Sequence, residues 1–189
     1  MYEAINTTFI ALIPKTDSPQ SFSDFRPISL CNCLYKIIAK IIANWIKSIL
    51  SENISSKQFA FLHNCQIHEA KCTAEEALHS IKKKNLKGAI LKIDLSKAFD
   101  WVSWLYIRII LTHLGFPIPF IRWIMCCITS VSFSTLINVF ASYFFHVERG
   151  HKQGCPLSPF LFLIVMEGLS SLIFSKKRAR RLMGLKIVY

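Results

Sequence analysis

Apolar residues recur at three- and four-residue spacing without a gap from Leu34 to Leu50: Leu34, Ile37, Ile38, Ile41, Ile42, Trp45, Ile46, Ile49 and Leu50. That period predicts an amphipathic helix, with Asn32 placed to cap it. Lys36, Lys40 and Lys47 fall on the other side, where a solvated face is the commoner meaning of such lysines. A second helix is read over Gln66–Lys84, with Ile67, Ala70, Ala74, Ala77, Leu78 and Ile81 inward. Its last residues, Lys82, Lys83 and Lys84, suit the negative end of the helix dipole, and a phosphate contact is the sharper reading. Further helices are expected at Ser103–Leu114, stopped by Gly115 and Pro117, at Phe120–Ile128, and from Ser158 to about Ser175. Strand-like patterns appear at Thr7–Ile13, at Ala89–Leu95 after Gly88, in a hairpin around residues 131–147, and at Leu185–Tyr189. Pro14 opens a polar loop that runs to Asp24. The chain shows no internal repeat and no low-complexity tract.

Composition narrows what such a fold serves. The 189 residues are enough to bury a real core, and 52% of them are hydrophobic, which argues against disorder. Lys and Arg number 23 against 11 Asp and Glu, a net charge of +12, so a polyanion is the first partner to consider, nucleic acid ahead of an anionic membrane surface. Seven cysteines without regular spacing or a signal peptide read as reduced intracellular thiols. His63, Cys65, His68 and Cys72 do not match a zinc-finger spacing, and no second pair follows. The stretch Trp123–Phe145 is uncharged and long enough to span a bilayer. Its Ser and Thr content, Asn138 and strand-like alternation favour buried segments of a soluble fold, as does Glu167 within Phe160–Phe174. No membrane is therefore expected as a partner.

Three clusters carry candidate chemistry. The run Leu91-Lys92-Ile93-Asp94 reads as a buried strand ending in a carboxylate, with Phe99 and Asp100 just beyond. An Asp at a strand end is more often a turn or cap residue; as a ligand it suits Mg²⁺, which takes one or two carboxylates plus substrate phosphates. A phosphoryl-transfer centre with two metals about 4 Å apart needs more acids than this one. Phe99 then either packs against a sugar ring or belongs to the core, and Asp100 is placed to cap the following helix. Next, Arg149-Gly150-His151-Lys152-Gln153-Gly154-Cys155-Pro156 is a glycine-bracketed basic loop leading into a helix, suited to a phosphate or a base pair, or simply to a turn. Last, Arg26 within Asp24–Leu30, with Lys15 upstream, offers cations for a triphosphate.

Together and in this order the blocks LIPK, SFSDFRPISL, YKIIAKIIAN, LKIDLSKAFDWVSW, LGFP, IRWIMCCITSVSFSTLIN, RGHKQGCPLSPFLF and EGLS resemble a reverse transcriptase of the non-LTR (LINE-type) retrotransposons common in plants. The resemblance implies an α+β fold of the right-hand polymerase kind, with fingers over residues 1–88 and an incomplete palm over 89–189. It implies RNA-directed DNA synthesis on an RNA template and DNA primer with dNTPs and Mg²⁺, in the nucleus or cytoplasm; no obligate protein partner is deducible. By that resemblance Asp94 is a catalytic metal ligand and Leu95 lends its carbonyl to the metal. Phe99 excludes the sugar 2′-hydroxyl, Gln153 and Gly154 position template and nucleotide, and Lys15 and Arg26 contact the triphosphate. Lys152 and the clusters Lys82–Lys84 and Lys176, Lys177, Arg178, Arg180 and Arg181 then face nucleic acid.

The departures are as informative. The family's paired aspartates are absent from these residues, and in relatives they follow a segment like Arg181–Tyr189. Cys155 stands where an Asp is common, Asn64-Cys65-Gln66 where Gly-Arg-Gln is common, and Trp45 where Arg is frequent; the hairpin after Asn138 lacks its usual Gly. These changes suggest a decayed or truncated copy. The expectation is a polymerase fragment inactive alone, with a non-catalytic nucleic-acid-binding remnant or an unfolded pseudogene product as alternatives.

Overall fold

The computed structural model describes residues 3–53, 67–87 and 91–181. A one-turn helix α1 (Glu3–Asn6) leads into β1 (Thr7–Pro14), which returns through a 3-10 turn at Phe22–Asp24 as β2 (Phe25–Cys31). The turn is held by the Asp24 carboxylate, which accepts the Ser21 and Gln20 backbone N–H groups at 2.9 and 3.0 Å. Those bonds, with the Ser21 hydroxyl and Lys15, hold its carboxyl below the ordinary range. Then follow α2 (Cys33–Asn53), α3 (Ile67–Lys83), α4 (Ala98–Trp101), α5 (Trp104–His113) and α6 (Ile118–Thr129). β3 (Ser132–Ile137), the two-residue strands β4 (Phe140–Ala141) and β5 (Phe145–His146), and α7 (Ser158–Arg178) complete the order.

The sheet is mixed. β1 pairs antiparallel with β2 and parallel with β3, while β4 and β5 both add to β3 antiparallel. The pairing Ile13↔Arg26 puts Lys15 and Arg26 at the same end of the β1–β2 ladder. Tyr35, Ala39, Ile42, Ala43, Ile46 and Leu50 form the buried face of α2, which shares only Ile42, Ile46 and Leu50 with the face expected from the sequence; Leu34, Ile37, Ile41 and Trp45 are exposed instead. They meet Ile107 and Leu111 of α5, Ile121, Ile124 and Cys127 of α6, and Leu161 and Ile164 of α7. Each such aliphatic side chain contributes about 1.5–3 kcal/mol by leaving water. Asn32 does cap α2, its Oδ1 accepting the Leu34 N–H at 2.9 Å.

The structure corrects several expectations. Leu91–Leu95 is not a strand, and Leu91 and Ile93 are 83% and 60% exposed rather than buried. A strand needs a ladder partner, and no described strand pairs with this segment. Residues 89 and 90, and the strand expected at Leu185–Tyr189, lie outside the described residues. Conversely, Phe25–Cys31 is a regular strand despite its Pro27, because it occupies the sheet edge. Asp100 caps no helix; Ser103 occupies the N-terminal boundary of α5. The uncharged stretch after Trp123 is divided between α6 and β3, so it does not form a single span. By length and composition α7 suffices to cross a membrane, yet Ser158, Leu161, Leu163 and Ile164 of its first turns are buried in the core.

Candidate functional site

The basic loop expected from the sequence is bolted to the turn around α4. Gly150 N–H donates to the Val102 carbonyl at 2.8 Å and His151 N–H to the Phe99 carbonyl at 2.9 Å. The Trp104 indole donates to the Gly150 carbonyl at 2.7 Å, and Gln153 Nε2 to Asp100 Oδ1 at 3.3 Å. Gly150 is required twice over: its φ is +83°, and a Cβ there would sit 2.8 Å from the Asp100 carbonyl oxygen. On the other side, Ser29 N–H of β2 donates to the Gln153 carbonyl at 2.8 Å. Sheet, loop and turn thus enclose a cavity of about 420 Å³, walled by Ser29, Tyr35, Asp100, His151, Lys152 and Gln153 among others.

Lys152 requires a correction. It was expected on the nucleic-acid face, but it is only 5% exposed. Its ammonium bonds Asn6 Oδ1 and lies 3.6 Å from the Tyr35 ring centroid. Asn6, itself fully buried, donates to the Cys127 carbonyl at 3.1 Å and Ser130 Oγ at 2.8 Å. Burial lowers the Lys152 pKa, against the opposing influence of the neighbouring thiols Cys31, Cys155 and Cys127. A long cation inside an apolar wall is tolerable only with such partners. Asn6 and Tyr35 gave no sequence signal, since each reads alone as an ordinary polar or core residue.

Phe99 is half-buried and held from two sides. Its ring stacks on Phe162 at 5.1 Å between centroids and meets His151 edge-on at 5.8 Å and 89°. His151 is 8% exposed, and neither ring nitrogen has a hydrogen-bond partner among the described residues. Burial pushes its pKa down to about 4, so the ring is neutral near pH 7. An unsatisfied buried polar group costs about 1–3 kcal/mol, so the imidazole is held in this position at an energetic cost.

The remaining expected residues are exposed. Lys15 Nζ donates to the Ser23 carbonyl at 2.6 Å, and Arg26 projects from the same end of the sheet. Gln153, the exception, is half-buried, and Gly154, with φ +93°, passes close to Ile28 of β2. Lys82, Lys83 and Lys84 lie at the end of α3, and Lys176, Lys177 and Arg178 in the last turn of α7, with Arg180 and Arg181 just past it. Asp94 and Leu95 sit on the exposed segment before α4. The described residues contain no group of three or more His, Cys, Asp or Glu suited to a metal. Mg²⁺, expected from the resemblance, therefore lacks a fitting donor set here: one exposed carboxylate cannot replace the water shell of a catalytic cation. Of the weaker zinc pattern, His68 and Cys72 are exposed on α3, while His63 and Cys65 lie outside the described residues.

The sequence that builds this sheet, loop and turn matches a known protein family. Residues 13–188 match the family described as reverse transcriptase (RNA-dependent DNA polymerase), and the chain belongs to that family. Within it, the chain is a reverse transcriptase domain of the kind carried by non-LTR retrotransposon polyproteins. It is similar to the transposon TX1 uncharacterized 149 kDa protein of Xenopus laevis, with 30% identity over 93% of this chain and 13% of that protein. It is also similar to the retrovirus-related Pol polyprotein from the type-2 retrotransposable element R2DM of Drosophila melanogaster, at 32% identity over 83% of this chain and 15% of that protein. A type-1 element R2 polyprotein of Popillia japonica shares 25% over 89% of the chain and 23% of its own length. The chain thus spans less than a quarter of each of these relatives. Members of the family generally use divalent metal ions and act on nucleic acid templates.

Proposed function

We propose that this chain is the template- and nucleotide-positioning part of an RNA-directed DNA polymerase, with residues 1–88 as fingers and 89–189 as part of the palm. In the reaction of such an enzyme a primer 3′-hydroxyl attacks the α-phosphate of a dNTP and pyrophosphate leaves. The observation that carries the reading is the joining of loop 149–154 to both β2 and the turn around Phe99, in a chain that matches the family over residues 13–188. Gln153 and Gly154 face the template and the incoming nucleotide, Phe99 packs against the sugar, and Lys15 and Arg26 meet the triphosphate. Asp94 and the Leu95 carbonyl belong to the catalytic end of the palm, and the exposed clusters Lys82–Lys84 and Lys176–Arg181 follow the nucleic-acid backbone. The 189 residues contain no adjacent pair of aspartates. The isolated chain is accordingly expected to bind an RNA template with a DNA primer and a dNTP without extending the primer. Binding by the purified chain and a primer-extension assay test this together. Primer extension abolished by Asp94→Asn would overturn the inactive part of the reading; failure to bind primer–template would overturn the whole.

A second reading, a non-catalytic nucleic-acid-binding module, is favoured by the exposed basic clusters alone. RNA binding that weakens steeply with salt but shows no dNTP dependence would select it.

A further inference from the structure

We propose that His151 is a positioning residue for sugar selection: its imidazole fixes the ring plane of Phe99, and so decides how strongly a ribonucleotide is rejected. The inference rests on the reading of Phe99 as the residue that packs against the nucleotide sugar. The Phe99 ring has a wall on either side. Phe162 stacks on it at 5.1 Å and 21°, and His151 meets it edge-on at 5.8 Å and 89°. Two walls at nearly right angles leave an aromatic ring little freedom, whereas one stacked wall lets it slide in its own plane. Backbone geometry fixes the pair further, since His151 N–H donates to the Phe99 carbonyl at 2.9 Å and Gly150 admits no side chain between the loop and the Phe99–Asp100 carbonyls.

The imidazole is held by this packing and by little else. It is 8% exposed and its nitrogens find no partner among the described residues. No hydrogen bond competes for its orientation, so the ring plane of His151 and that of Phe99 are set mutually. Discrimination against a 2′-hydroxyl depends on sub-ångström placement of the aromatic beside the sugar, and that placement is what the edge contact supplies.

The test compares binding of dTTP and UTP to the full chain on an RNA template with a DNA primer. The variants are His151→Leu, His151→Phe, His151→Gln and Phe99→Ala. Loss of an edge-on aromatic contact predicts a fall of about 2- to 10-fold in the dTTP/UTP ratio for His151→Leu and His151→Gln. His151→Phe, which restores an aromatic edge, recovers most of the ratio. A residue that only filled the core would lower the melting temperature and leave the ratio alone, so an unchanged ratio in His151→Leu overturns the proposal. Should that variant fail to fold, an unchanged ratio in His151→Gln overturns it equally. If Phe99→Ala keeps the wild-type ratio, or the wild type binds neither nucleotide, the reading of Phe99 itself falls and this inference with it. If Phe99→Ala relaxes the ratio and the His151 variants do not, only this inference falls.

Discussion

Loop 149–154 and segment 91–97 carry the two most telling sequence motifs of the chain, and they are built in opposite ways. The loop is tied by backbone bonds to Phe99, Val102 and Ser29, by Trp104 and Asp100, and by a lysine buried against Asn6 and Tyr35. The segment bearing Asp94 is exposed from Leu91 to Lys97 and joins no ladder among the described strands. The loop has no aliphatic residue, whereas the exposed segment carries Leu91, Ile93 and Leu95, so composition alone would assign their burial the other way round. The difference lies in where their partners are. The loop finds its partners on elements within this domain, whereas a strand that ends in an exposed carboxylate obtains its order from a neighbouring strand.

That contrast can be broken by substitution. The largest effect is expected from Gly150→Ala, which combines a left-handed backbone with a Cβ 2.8 Å from the Asp100 carbonyl. A loss of about 2–4 kcal/mol in denaturant unfolding is expected. If Gly150→Ala is as stable as wild type, the loop is not clamped as described. Acidification comes next. The His151 pKa is lowered from 6.5 to about 4 by burial, so below pH 6.5 the unfolded chain binds a proton that the folded chain refuses. Stability should therefore fall as pH drops from 6.5 toward 4, by up to about 3 kcal/mol, and His151→Leu should flatten that slope. Lys152→Met leaves Asn6 Oδ1 without its buried donor and should cost about 1–3 kcal/mol. The same variant also separates a buried cation from a phosphate contact: the salt dependence of RNA binding should keep its slope, and a slope reduced by about one would restore Lys152 to the nucleic-acid face.

A smaller and opposite effect is expected in the tight turn between β3 and β4. Asn138 and Val139 both have positive φ, +49° and +72°, and Val139 is 96% exposed, so its branched side chain contributes strain without burial. Val139→Gly should raise stability by about 1 kcal/mol, read as a higher melting temperature. The smallest effect belongs to Asp94→Asn, expected within about 0.5 kcal/mol of wild type because the carboxylate is exposed. A larger loss there would mean that the segment is anchored after all, and would erase the contrast with the loop.

The presence of helix α2, the stop at Gly115, the cap at Asn32 and the need for glycine at position 150 were legible in the sequence, but which face of α2 is buried was not. Each is a local rule: helix spacing, a left-handed residue, a side chain within reach of its own backbone. The family was legible too, because it rests on the order of several blocks rather than on any single contact. What the sequence could not show was which charges face inward. Lys152 and the exposed lysines of α2 look alike as letters, and only the meeting of Asn6, Tyr35 and the loop makes one of them a buried tether. His151 became a neighbour of Phe99 for the same reason, since the two are brought together across 52 residues by a loop that no local pattern describes. Sequence alone determined the main helices and the lineage, because those follow from short-range spacing and motif order. Tertiary structure decided burial, partners and the absence of a ladder at Asp94 among the described strands, because each depends on residues distant along the chain arriving in the same place.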